Sequence, residues 1–149
     1  MNTLMVLSSA FLGFFLGTQI TEAILIVPYW KSLAPNDFFQ LHKKYGKKIH
    51  RFYAPITIVA TVIPLTTSLL IIQTSNTMQW IAFCMGIFTL AFFSTYFLYF
   101  KKANKSFANR NINDNQLQYF LKEWEHWHWI RIVFETISFV CSLILLVKN

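Results

Sequence analysis

Residues 124–147 read WEHWHWIRIVFETISFVCSLILLV, and this stretch decides the fold. From Ile132 to Val147 it is apolar enough to be a membrane span, interrupted by Glu135. Trp124, His128, Arg131 and Glu135 are spaced by four, three and four residues, which places their side chains within about 60° of one another on an α-helix. Glu135 then sits about one turn inside the apolar segment. A second carboxylate, Glu22, interrupts an equally apolar stretch near the N-terminus. An ionisable group at that depth costs about 2.5–3.5 kcal/mol on insertion scales unless it pairs, protonates or faces a polar cavity. The two carboxylates therefore point to a functional pocket.

The rest of the chain agrees with a membrane setting. Of 149 residues, 55% are hydrophobic, 18% aromatic and only 13% charged, with a mean hydropathy of +0.44. These values suit one small polytopic membrane domain, residues 1–149, rather than a soluble one. The net charge of +7 is topological rather than a nucleic-acid signature. Lys31, Lys43, Lys44, Lys47, Lys48 and Arg51 fall between the first two apolar runs. Lys101, Lys102, Lys105, Arg110, Lys122 and Arg131 fall between the last two. Such alternation is what the positive-inside rule produces. It predicts a multi-pass protein of the plasma (inner) membrane with both termini outside and both basic connections cytoplasmic. Cys84 and Cys141 lie in apolar runs without metal-type spacing and read as small core residues. The first apolar run lacks a basic n-region and a small-residue cleavage site, so it reads as a retained span.

Four spans are expected, at about 4–27, 54–73, 78–100 and 129–147, forming an all-α membrane four-helix bundle. The first should end at Pro28, which lacks the N–H to continue the helix. Gly13 and Gly17 form a GxxxG suited to close helix approach, or are two unrelated glycines. Asn36 to His50 should be a short amphipathic helix in the first cytoplasmic loop, resting on an anionic leaflet through the 31–51 segment. Pro64 should loosen the second span and widen a cavity. An uncharged turn, Thr74 to Thr77, sets a hairpin. A polar loop is expected over 101–115, followed by a last helix from about Asn115 to Val147.

With this topology the unusual residues gather on the cytoplasmic side: Glu22, Trp30, His50 and the stripe from Trp124 to Glu135. Plainer accounts exist for several of them. His42 and His50 among lysines suit solvated headgroup contacts, and Trp124, Trp127 and Trp129 suit an interfacial aromatic belt. Arg131 could snorkel, or join Glu22 and Glu135 in a structural ion-pair network. A metal reading rests on the ExxH spacings Glu123–His126 and Glu125–His128, with Glu22 as a further ligand. No second ExxH occurs in another span, so a di-iron set is incomplete. A metal-free pocket needs fewer parts: a base, a cation to hold an oxyanion, and aromatic walls. Glu22, His128 and Arg131 supply the chemistry, and Trp124, Glu135, Trp30 and His50 the binding surface.

The layout of a four-span chain with Glu22, Pro28 and Trp30 closing the first span, and Asn113, Leu117, Trp124, His128 and Arg131 leading into the last, resembles the anthrone oxygenase family. The resemblance implies oxidation of a hydroxyanthracenone to a quinone without a dedicated organic cofactor. The Lys-rich first connection and the Asn-rich third one depart from that pattern. The reading is therefore a cytoplasm-facing pocket for a small lipophilic aromatic or quinone-like molecule, with oxygenation as its chemistry. Two alternatives stand beside it: a non-enzymatic carrier or partner subunit with a structural or proton-carrying Glu/Arg network, and a metal-dependent oxidoreductase.

Overall fold

The computed structural model describes residues 1–74 and 77–148, and these are helical with short connections. Among the described residues four helices are long and apolar enough to cross a membrane: α1 (Asn2–Ser32), α2 (Pro35–Gln73), α3 (Gln79–Ala108) and α4 (Asp114–Lys148). At 1.5 Å per residue each is about 45–60 Å long, well beyond a 30 Å hydrocarbon layer. Only 33–39% of the most apolar window of each is buried. Phe14, Val62, Leu69, Phe83 and Val133 stand on the outer faces, each at least half exposed, as lipid-facing side chains would. Each helix packs against the next, and α4 closes against α1.

Three boundaries differ from the expectation. α1 does not stop at Pro28; it runs on to Ser32 through a π-helical turn, Glu22–Ile26. The Val27 N–H bonds the Glu22 carbonyl there. The backbone ladder must break at Pro28 in any case, and one wide turn just before it absorbs the break. Asn36 to His50 is helical but is not a separate element, because it continues without interruption into the second span. Its apolar side chains also turn inward: Phe38 is fully buried and Phe39 nearly so, against Trp30 and Phe107. Finally, 101–108 continues α3 as helix, so only 109–113 remains as loop. Arg110 in that loop has φ 51°, a strained conformation for a side-chain-bearing residue. Its guanidinium reaches Asn36, Asp114 and the Phe39 ring, which holds the turn in place. Of the expected turn Thr74 to Thr77, residues 75 and 76 lie outside the described residues.

The two ends of the molecule are built differently. Toward the 74–77 end, small polar residues lace the helices together. Ser8 and Thr67 oxygens are 2.9 Å apart between α1 and α2, Ser9 donates to Ser142 at 3.1 Å, and Thr89 and Ser138 are 2.7 Å apart. A Cβ on Gly86 would stand 3.3 Å from Ser68, so α2 and α3 also approach closely. Such contacts bring backbones together where lipid offers no hydrophobic drive. Of the glycine pair, Gly13 faces Phe139, whose ring would lie 2.9 Å from an added Cβ, whereas Gly17 faces open space. The GxxxG therefore works through one glycine only within this chain. Cys84 and Cys141 are free thiols in the apolar cluster of this half. At the basic end a different core appears, rich in rings: Val27, Trp30, Phe38, Phe100, Phe107, Leu117, Leu121 and Trp124 are all buried. Beside this second core, between α2 and α3, a cavity opens.

Candidate functional site

The cavity has a volume of about 960 Å³ and is walled chiefly by α2 and α3, with α1 and α4 behind. That is the size of a site for a drug-sized molecule. Two π-helical turns frame its inner wall: Glu22–Ile26 in α1 and Tyr96–Phe100 in α3. On a regular α-helix residues five apart diverge by about 140°. The wide turns let Glu22 and Val27 both face inward on α1, and Thr95 and Phe100 both face inward on α3. π-turns of this kind recur at functional sites.

Arg131 is the hub. Its Nη2 is 3.8 Å from Glu22 Oε2, an ion-pair distance longer than a hydrogen bond. The same nitrogen donates to His128 Nδ1 at 2.8 Å, and the guanidinium lies over the Phe100 ring, 4.3 Å from its centre. His128 Nε2 is 2.9 Å from the Gln19 carbonyl. A carbonyl only accepts, so Nε2 carries the proton and Nδ1 is free to accept from Arg131. Both ring nitrogens are thus engaged. Glu22 and Arg131 border the cavity; His128 does not, being fully buried behind Arg131 and stacked on Trp124 at 4.9 Å.

Trp124 is held by two kinds of contact. Its Nε1 donates to Asn104 Oδ1 at 3.0 Å, and its ring meets Trp30 and Phe100 edge-on at 5.4 and 5.1 Å. Trp30 and Trp124 both line the cavity, as does exposed His50 near its mouth. Glu135 lies one turn beyond Arg131, fully buried, with neither carboxyl oxygen hydrogen-bonded among the described residues. It shares the electrostatic field of Arg131 with Glu22.

The set considered for a metal is not brought together. Glu125 is committed to Lys31 at 2.7 Å, tying the end of α1 to α4, and His128 is closed off. Among the described residues no group of three or more His, Cys, Asp and Glu side chains could share an ion.

Tyr53 belongs to the candidate site although the sequence did not single it out. It lines the cavity and lies within electrostatic reach of both Glu22 and Arg131, supported by an edge-on contact with Phe15 at 6.5 Å. Phe100 and Asn104 were not singled out either. In the sequence Tyr53 ends a run of lysines and histidines, and nothing local distinguishes it from an interfacial tyrosine. No known protein family, characterised protein or solved structure matches this chain.

Proposed function

We propose that this chain is a multi-pass plasma-membrane protein, a four-helix bundle with its basic end cytoplasmic, whose cavity binds a small lipophilic aromatic or quinone-like molecule. The observation that carries the reading is the juxtaposition of a 960 Å³ ring-walled cavity with a carboxylate and a guanidinium 3.8 Å apart on its inner wall. A ligand carbonyl or phenol directed at Arg131 would find a cation to stabilise developing oxyanion charge. In this reading Glu22 takes a proton from an adjacent acidic carbon, and Tyr53 donates to a ligand oxygen. For an anthrone-like ligand, such deprotonation gives an enolate that dioxygen oxidises: the methylene becomes the second quinone carbonyl and one water leaves. His128 acts in this scheme by holding Arg131 in position. The outer face of basic α2, where Lys44 and Lys48 flank the Tyr45 ring, meets anionic headgroups.

The test uses purified protein in detergent with 1,8-dihydroxyanthrone. Binding should raise the melting temperature, and an oxygen electrode should record one O₂ consumed per quinone formed. Glu22→Gln should abolish turnover while leaving the melting shift. The Glu22–Arg131 ion pair and the wholly internal His128 favour a second reading, a non-enzymatic carrier or partner subunit with a structural or proton-carrying Glu/Arg network. Wild-type protein that takes up no oxygen with the anthrone would decide for it, a melting shift marking a carrier and its absence a partner subunit.

A further inference from the structure

Both long walls of the cavity change character at one level. On α2, Ile58 and Ala54 line the inner stretch, and Arg51, Lys47 and Lys43 continue the same stripe at spacings of three and four. On α3, Phe93 and Phe97 are followed on one face by Lys101 and Lys105. The facing walls therefore offer apolar groups in one half and five cations in the other. The basic stretch extends about 12 Å along α2 and about 6 Å along α3. Ile58 and Phe97, at 56% and 57% exposed, stand at the rim, so the slot opens sideways toward the region that lipid would occupy.

Three facts separate this arrangement from a general bias of charge. Among the described residues none of the five cations is in an ion pair. The cavity lining contains one carboxylate, Glu22, which already has Arg131. The positive-inside rule places lysines on one side of a membrane but is indifferent to helix face. Lys44, Lys48 and Lys102 satisfy that rule without lining the cavity. Space is also left among the lysines: Gly46 lies at their level, and a Cβ there would meet nothing within 4 Å. Unpaired cations beside low-dielectric walls focus a positive potential into the slot.

Resting on the reading of the cavity as a binding site, we infer that its ligand is an amphiphile drawn from the membrane, with one carboxylate or phosphate headgroup. Lys43, Lys47, Arg51, Lys101 and Lys105 hold the headgroup, and the apolar body lies between α2 and α3, with its far end toward Arg131.

Fluorescence of cis-parinaric acid and of its methyl ester, titrated with the purified protein in non-ionic detergent, tests this. The acid should bind at least tenfold more tightly than the ester at low salt, and the margin should shrink as salt is added. The triple variant Lys47→Gln, Lys101→Gln, Lys105→Gln should reduce the preference below threefold. The triple Lys44→Gln, Lys48→Gln, Lys102→Gln, with the same change in net charge, should retain it. Gly46→Phe should weaken both ligands. Equal binding of acid and ester, both weakened by Gly46→Phe, would overturn the headgroup assignment while leaving the cavity reading intact. Binding of neither would overturn both. Equal losses in the two triples would assign the effect to diffuse surface charge and overturn the site. Inorganic phosphate displacing the acid as well as lysophosphatidic acid does would also overturn it, in favour of a simple anion site.

Discussion

Replacing Arg131 with methionine keeps the apolar stem and removes the guanidinium on which three elements converge. The hydrogen bond to His128 involves a charged donor, a class worth about 1.5–3 kcal/mol, and the stacking over Phe100 adds about 0.5–2 kcal/mol. The change also strands Glu22, whose side chain is 8% exposed. Breaking a buried pair costs about 3–5 kcal/mol when the remaining charge has no other recourse. Glu22 borders the cavity, where water can solvate it, so the whole effect should fall near the lower end, about 3 kcal/mol. A double-mutant cycle isolates the pair. In a Glu22→Gln background, Arg131→Met should cost about 1–2 kcal/mol less than in the wild type, because the Glu22 carboxylate is no longer there to lose its cation, while any loss through Glu135 is common to both backgrounds and cancels. Equilibrium unfolding in mixed micelles, followed by tryptophan fluorescence as a denaturing detergent is added, measures all four proteins. A coupling below about 0.3 kcal/mol, the range of simple additivity, would refute the Glu22–Arg131 interaction. A loss below about 1 kcal/mol for Arg131→Met itself would refute its place as the hub.

Topology is open to direct labelling: in a Cys84→Ala, Cys141→Ala background, a cysteine at Thr74 should react with an impermeant maleimide from outside, and one at Asn109 only after the membrane is opened. The reverse order would move the cavity mouth to the other face. Gly13→Leu should lower stability by about 1–3 kcal/mol, the usual cost of overpacking, because of Phe139, while Gly17→Leu should stay within about 0.5 kcal/mol; equal effects in the same unfolding assay would contradict the packing of α1 on α4. Phe38 is fully buried with Trp30, His42 and Phe107 as ring neighbours, so Phe38→Ala should cost about 3–5 kcal/mol. A change below about 1 kcal/mol would mean that this ring faces the headgroups instead.

Hydropathy and helical periodicity are local properties, and what depends on them was legible in the chain itself. The four long apolar helices, the single stripe from Trp124 to Glu135 and the position of Glu22 inside an apolar run all follow from residue order, because hydropathy and a helix face are set by composition and spacing alone. The limits of that reasoning lie where a second helix has a say. Pro28 reads as a terminator, yet a π-turn just before it, Glu22–Ile26, carries α1 onward. Nothing in YFLYF at 96–100 announces the matching turn in α3 that brings Phe100 to Arg131. Asn36 to His50 reads as an amphipathic helix seeking lipid, but Phe107 and Trp30 offer Phe38 a drier partner. His128 reads as a residue of the membrane boundary; its enclosure is decided by the Gln19 carbonyl on α1. The cavity is likewise a property of pairs. Hydroxyls and small residues draw the helices together at one end, and at the other the rings pack to one side and leave space between α2 and α3. Sequence periodicity describes one helix at a time, whereas a pocket is defined by side chains on facing helices, so only the tertiary structure could place Glu22, Tyr53, Phe100 and Arg131 around one volume.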